Sequence, residues 1–367
     1  MKAEVLASYN ATFVMKVERM AEMGETIQAT DVRFEHGGKG SNQAVGISRL
    51  GAEVRLIAGV GRDPFGESAL SLWASSGMDV SGVKRSRVAT GMAFVFVVGT
   101  QNFIYISPGA NSDIDQDWVG THLGEADVFM TVFEVPSDLA LWAARHAARA
   151  SLTFVNPAPA HAIMPDELDG IYAITPNEAE IKVMAGLSPV SDVDFRELAR
   201  SYAKHVNVVA VTLGEKGSYL VSGSSEKHIY PLPSRAKETT GAGDSWSAAF
   251  AYFIAKGEGV FDAAEMANAA ASLLVERRRG EALVDNLPTL DEVEHRHSGF
   301  MRTVKSLSRE RSCCLVPFRR YSATQGKRLQ EQLRSWERST RVTGSPFTIG
   351  GKTASSDLFL FPRPNAS

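Results

Sequence analysis

The hexapeptide TTGAGD, Thr239 to Asp244, has the residue types needed to hold a charged group beside a proton acceptor. Gly241, Ala242 and Gly243 stand at the mouth of an apolar helical stretch, where small side chains leave backbone N–H groups bare and the helix dipole presents its positive end. Such an entrance suits an anion, a phosphoryl group in transfer above all. Asp244 follows directly, within reach of a proton leaving an attacking hydroxyl. An aspartate here could simply be an N-cap, but the glycines before it favour the catalytic reading. The apolar face continues through Trp246, Phe250, Phe253 and Ile254, and Lys256-Gly257 is a stop signal.

A second stretch, EHGGKGSNQAV from Glu35 to Val45, joins three glycines to a cation and an amide. Gly37, Gly38 and Gly40 permit close backbone approach, Ser41 or Asn42 can cap the helix that follows, and Lys39 and Asn42 face a polyhydroxylated or anionic ligand. The spacing is neither GxGxxG nor a P-loop.

These stretches need a scaffold, and the rest of the chain supplies one. Short β-rich apolar runs at 4–10, 54–61, 127–135, 152–158, 171–177 and 206–214 alternate with amphipathic stretches at 41–51, 66–77, 137–150, 177–186 and 195–205. Near-continuous apolar strands between helices predict a three-layer α/β fold around a mostly parallel sheet. Asn10, Glu134, Asn156, Asn177 and the turn from Thr212 to Gly217 all fall just past the carboxyl end of a predicted strand, where open α/β sheets bind ligands. Residues 12–36 and 90–107 break the rhythm with β-rich runs around glycine turns, and read as a small antiparallel subsheet covering a cleft.

Bulk properties narrow the function. The 367 residues carry a net charge of -3, which gives no basic field for nucleic acid or an anionic membrane. The two cysteines, Cys313 and Cys314, are adjacent, so neither a disulfide framework nor a spaced metal-ligand set is expected. With no apolar run of membrane-spanning length and no signal-like N-terminus, a cytoplasmic protein is expected. Residues 298–367 hold 13 Lys and Arg against 4 Asp and Glu, and read as a basic, poorly ordered tail with one helix at 326–339, appended to a domain of residues 1–297.

GGKGSNQA (37–44) and TTGAGDSW (239–246), in this order, resemble the two signatures of the ribokinase-like (PfkB) carbohydrate kinases. VNPAPA (155–160), ITPNEAE (174–180) and TLGEKG (212–217) are most similar to the family's ribokinase branch. The resemblance implies an α/β/α sandwich with a β-sheet lid and ATP-dependent phosphorylation of a sugar hydroxyl, the sugar being a pentose or related polyol. It makes Asp244 the general base and the backbone of Gly241, Ala242 and Gly243 the anion hole. Asn10, Thr12, Gly38, Lys39, Asn42 and Glu134 fall where the family grips its sugar. Asn177, Thr212, Gly214, Gly217 and Asn268 fall at the nucleotide, Glu180 organises Mg²⁺ through water, and Glu238 and Thr240 fall near a monovalent cation such as K⁺. A homodimer through the lid is also implied. Three positions depart from the pattern: Thr12 replaces an aspartate, Glu238 replaces an aspartate, and RRRGEALVDNLP (277–288) is longer than the equivalent loop. Thr12 lowers the expected efficiency on ribose by roughly 10 to 150-fold, the worth of one charge-assisted hydrogen bond. The alternatives are a nucleoside or ketohexose kinase of the same fold, and a non-catalytic sugar-binding regulator.

Overall fold

The structure, a computed structural model, describes residues 1–99, 101–277 and 283–312. From the N-terminus, β1 (Lys2–Ala7) runs into β2 (Asn10–Val17) and β3 (Asp31–Gly37), followed by α1 (Lys39–Arg49), β4 (Glu53–Gly61), α2 (Pro64–Ser75), β5 (Asp79–Ser86), β6 (Met92–Val98) and β7 (Gln101–Ser107). The middle of the chain holds α3 (Gln116–His122), β8 (Val128–Val132), α4 (Ser137–Ala147), β9 (Leu152–Asn156), β10 (Ala173–Ile174), α5 (Glu178–Met184), α6 (Phe195–Tyr202) and β11 (Val208–Thr212). Then come β12 (Ser218–Ser222), β13 (Ser225–Ile229), α7 (Ala242–Ala255), α8 (Val260–Glu276) and α9 (Leu290–Ser312).

Nine strands form one sheet in the order β13-β12-β11-β10-β9-β8-β1-β4-β5. All neighbours are parallel except the hairpin β11-β12-β13 at one edge. Alternation along β1 shows why the chain needs three layers: Val5 and Ala7 pack under α1, α7 and α8, while Leu6 packs with α3 to α6 on the other side. Both faces are apolar because both are covered, so the strands read as continuous hydrophobic runs. The sequence order reverses between β1 and β8: β4 follows on one side of β1, and the chain returns on the other through β8. Such a reversal opens a crevice at the carboxyl ends of the strands.

The second sheet, in the order β3-β2-β6-β7, lies in the two segments read as a lid. Its outer pairings are antiparallel hairpins, and the two hairpins meet through a parallel pairing of β2 with β6. That parallel contact joins segments some 80 residues apart, so no local turn announces it.

The compact unit spans Met1–Thr303, and α9 continues across residue 297, so the division expected there falls inside a helix. Phe300 of that helix packs against the core, and Arg296 donates to Glu276 (2.9 Å) and to the carbonyl of Pro233 (2.8 Å). Val304–Ser367 separate as a second unit, of which residues 304–312 belong to α9. The expected helix at 326–339, the tail beyond residue 312 and the cysteine pair lie outside the described residues. Among the described residues no helix is long and apolar enough to cross a membrane.

Candidate active site

The crevice at the β1/β8 reversal is built by α1 docking its first turn onto the strand ends. Glu134, just past β8, accepts from Ser8 Oγ (2.6 Å) and from the backbone N–H of Lys39 (2.7 Å). Ser8 Oγ accepts in turn from Gly40 N–H (3.1 Å), and Ser8 O from Ser41 N–H (2.9 Å). The orphan donors of the helix start are thus satisfied by residues distant in sequence, and α1 needs no side-chain cap. This corrects the expectation that Ser41 or Asn42 caps it: the N-cap is Gly38, at φ 95. A side chain there would bring its Cβ to 2.7 Å from Tyr9 Cα and would strain the backbone as well. Ser41 and Asn42 are freed for tertiary contacts, Ser41 Oγ accepting from Trp73 Nε1 (2.9 Å) and Asn42 pointing at Asp244.

Helix α7 brings in the second motif. It starts from Gly241 in the left-handed conformation (φ 79), which turns the chain so that the helix N-terminus faces the cleft. Ala242 N–H closes this turn on Thr239 O (3.2 Å). Asp244 is 6% exposed, and both its oxygens are held by amides of α1: Oδ2 accepts from Asn42 Nδ2 (2.8 Å) and Oδ1 from Gln43 Nε2 (3.3 Å). Gln43 Nε2 also donates to Asn156 Oδ1 (3.1 Å), whose Nδ2 donates to Thr175 O (2.8 Å). A polar chain thus runs from the ends of β9 and β10 to the carboxylate. Helix burial continues through Phe253 and Ile254, with Gly257 at φ 92 ending it as the stop signal requires.

The electrostatics follow from one cation set among three carboxylates. Burial pushes the Asp244, Glu134 and Glu180 carboxyls above their ordinary range, and the Lys39 ammonium opposes that shift in each. Burial works against the Lys39 charge too, but the pull of Asp244, Glu134 and Glu180 outweighs it and holds the ammonium above its usual value. The shared cation favours the ionised form of each carboxyl against the effect of burial.

Asn10, Thr12, Gly38, Lys39, Asn42, Glu134, Glu238, Thr240, Gly241 and Asp244 all line one cavity of about 430 Å³, roofed by the lid. Asn10 Oδ1 accepts from Asn111 Nδ2 (3.0 Å), while Asn42 Oδ1 is buried without a partner. An unpartnered buried acceptor beside a carboxylate is a place for a ligand hydroxyl. The residues expected at the nucleotide gather elsewhere. Asn177 and Thr212 sit on adjacent strand ends joined by a β-bridge, and Leu213 N–H to Gly217 O (2.8 Å) closes the turn containing Gly214. Asn177 and Glu180 form a reciprocal capping box, Asn177 Oδ1 accepting from Glu180 N–H (2.8 Å) and Glu180 Oε2 from Asn177 N–H (2.7 Å). Asn268 is spent on the protein: its Oδ1 accepts from Trp246 Nε1 (2.8 Å) and Ser218 Oγ (3.3 Å), and its Nδ2 donates to the carbonyls of Ile229 and Tyr230. Any contribution it makes to a base is by contact rather than through its amide. Thr240 Oγ1 donates to Glu238 Oε1 (2.8 Å), and residues 278–282 of the long loop lie outside the described residues.

Residues 2–286 match the pfkB family carbohydrate kinases. The chain belongs to that family. It is 31% identical over 300 residues to a ribokinase of Haemophilus influenzae, a match covering 79% of this chain and 98% of the relative. A ribokinase structure from Thermotoga maritima superposes with a TM-score of 0.72 at 29% identity, covering 81% of this chain and 99% of that one. A ribokinase of Arabidopsis thaliana, solved with ribose and ATP, gives the same TM-score at 26% identity, covering 81% and 98%. These pfkB relatives share the large sheet and the small one, so the layered architecture read from the strand pattern is that of the family.

Four residues of the site were absent from the sequence expectation for it: Ser8, Gln43, Thr175 and Asn111. Gln43 and Thr175 carried a signal, Gln43 as the neighbour of Asn42 at the start of the same helix and Thr175 as a member of the ITPNEAE stretch.

Proposed function

We propose that this pfkB-family kinase transfers the terminal phosphoryl group of ATP to a hydroxyl of a pentose or related polyol held under the lid. The observation that carries this reading is the buried Asp244 carboxylate, fixed through both oxygens beside the N-terminus of α7 and opening on the cavity. The sugar hydroxyl oxygen forms the new bond to phosphorus, its proton passes to a carboxylate oxygen of Asp244, and the bond from phosphorus to the nucleotide's bridging oxygen breaks to release ADP. Both oxygens of Asp244 keep a lone pair after their amide contacts, so the proton has a place to go. The amides of Gly241 and Gly243, at the positive end of a 14-residue helix, stabilise charge growing on the transferring group. A Cβ built on Gly243 meets nothing within 4 Å, so the helix entrance has room for that group. Lys39 and the unpartnered Asn42 Oδ1 orient the acceptor sugar. A hydrated Mg²⁺ held by Glu180 and Asn177 through water would neutralise nucleotide phosphate charge, and the excess of buried carboxylates over ammonium fits such a cation. We place the reaction in the cytoplasm, where ATP is available.

The test is ADP release from ATP-Mg²⁺ with a panel of pentoses, hexoses and nucleosides. Turnover on a pentose or polyol is expected. Sugar binding without turnover on any of them would replace the kinase by a sugar-binding protein.

We also propose that a second copy of the chain covers the lid. Its edge strand β7 exposes Ile104 (58%), Tyr105 (59%) and Ile106 (45%), and an unpaired apolar edge strand invites association. Light scattering at micromolar concentration is expected to give a dimer, and Tyr105→Lys to shift it toward monomer. A wild-type monomer at that concentration would sink the proposal.

A further inference from the structure

Two asparagines line the cavity, Asn10 and Asn42, and the surroundings of each give its amide one orientation. Asn42 donates through Nδ2 to Asp244, which leaves its Oδ1 without a partner. Asn10 is turned the other way, by a residue that does not itself line the cavity. Asn111 stands in the short helical turn Gly109–Ser112 that follows β7, and is fully buried. Its Oδ1 accepts from the N–H of Tyr9 (2.9 Å), and its Nδ2 donates to the carbonyl of Tyr9 (2.9 Å) and to Asn10 Oδ1 (3.0 Å). A backbone N–H can only donate and a backbone carbonyl can only accept, so the two groups of Tyr9 leave the Asn111 amide a single orientation. Both hydrogens of its Nδ2 are then committed, and the Asn10 atom that faces it must be the oxygen. The two amides meet where only a glycine leaves room: a Cβ on Gly91 would lie 2.4 Å from Asn111 Nδ2 and 2.7 Å from Asn10 Oδ1.

A side-chain amide held by its oxygen still has its NH₂ to give. Asn10 Nδ2 has no hydrogen-bond partner among the described residues. Asn10 is 2% exposed, and a buried donor needs an acceptor, so the partner of this group is whatever fills the cavity. Resting on the kinase reading, we propose that Asn111 is a positioning residue of the sugar site: it fixes the Asn10 amide with its NH₂ toward the substrate, so that Asn10 reads an acceptor oxygen of the sugar while Asn42 reads a hydroxyl donor. Two residues of one type are thus set with opposite polarity. The matching substrate presents a lone pair to Asn10 and an O–H to Asn42, as the hydroxyls of a polyol can.

The test uses the full chain and two readouts, steady-state kinetics and calorimetric binding without nucleotide, on the sugar of the panel that wild type binds most tightly. Asn111→Asp keeps the side-chain shape and an acceptor for Tyr9 N–H, but faces Asn10 Oδ1 with an oxygen. The Asn10 amide then turns its Nδ2 to residue 111 and its Oδ1 to the sugar. Sugar Kd and KM should rise about 5 to 150-fold, the cost of polar groups left without a matching partner, while the KM for ATP stays within about threefold. In an Asn10→Ala background the same substitution should change sugar Kd by less than about twofold, because the residue through which it acts is gone. An equal rise in both backgrounds would mean that Asn111 acts through the fold, and the inference is overturned. A wild-type sugar Kd in Asn111→Asp overturns it too, whatever the Tm. Should Asn111→Asp not fold, Asn10→Asp keeps an oxygen for Asn111 Nδ2 and exchanges only the cavity-facing donor for an acceptor. Its sugar Kd should rise over the same range, and binding there at or above wild-type strength shows that no donor is read at Asn10 and overturns the inference. A wild type that binds sugar but transfers no phosphoryl group defeats the kinase reading and leaves Asn111 measurable by Kd. A wild type that binds no sugar of the panel defeats both.

Discussion

Asp244→Asn is expected to lower kcat by about 10² to 10⁴-fold, the range of a lost general base, while the protein stays folded and still binds ATP. Asparagine has nearly the shape of aspartate, and its side-chain oxygen can still accept from Asn42 or Gln43, so the polar chain to Thr175 survives in part. What the variant lacks is a second acceptor oxygen able to take the proton. The loss should therefore fall in kcat rather than in sugar KM, since the hydroxyl is still bound and only its deprotonation is impaired. A kcat within threefold of wild type would remove Asp244 from the base role. Gln43→Leu separates positioning from chemistry. Gln43 touches Asp244 through one contact of 3.3 Å, so its loss should shift the pH profile and cost less than the loss of Asp244 itself.

The parts of this site legible in the sequence were those whose signal is local. Three small residues ahead of an aspartate and an apolar helix mark α7, and the stop at Lys256-Gly257 marks its end, because helix entrance and exit are written in adjacent residues. The alternation of apolar runs with amphipathic stretches gave the layers for the same reason. What stayed hidden depends on contacts across the chain. Ser8 reads as an ordinary polar residue after a strand until α1 is seen to rest on it, and Gln43 as a solvent-facing helix residue until Asn156 and Asp244 are beside it. The start of α1 is hidden likewise, because its first N–H is met by a carboxylate 95 residues away and its N-cap is a glycine with no side chain to signal it. Glu35 reads only as the first residue of a glycine motif until β3 is laid against β2, where it stands opposite Thr12, 23 positions away. The parallel meeting of β2 with β6 is hidden in the same way.

Replacing Lys39 by methionine tests the charge balance of the whole site, and a loss of roughly 10²-fold or more near neutral pH is expected, the scale of removing one preorganised electrostatic group. Asp244, Glu134 and Glu180 are each held up by burial and drawn down by the Lys39 charge. Removing that charge raises all three further. The base acts only when deprotonated, so the acid limb of kcat/KM, which lies above the ordinary carboxylate range in wild type, should move to higher pH in the variant, with about tenfold lost on that limb per pH unit moved. Raising the pH should recover part of the activity, which simple loss of a sugar contact would not allow. Stability should run the opposite way with pH from activity. Carboxyls with raised pKa bind more protons in the folded than in the unfolded state, so their contribution is present at low pH and lost as pH rises through the folded pKa. Lys39→Met should therefore lose Tm more steeply than wild type as pH rises through the raised range of these carboxyls, because all three must then ionise without their common partner. Superimposable pH profiles for the two proteins, in activity and in Tm, would show that Lys39 does not set the ionisation of this site.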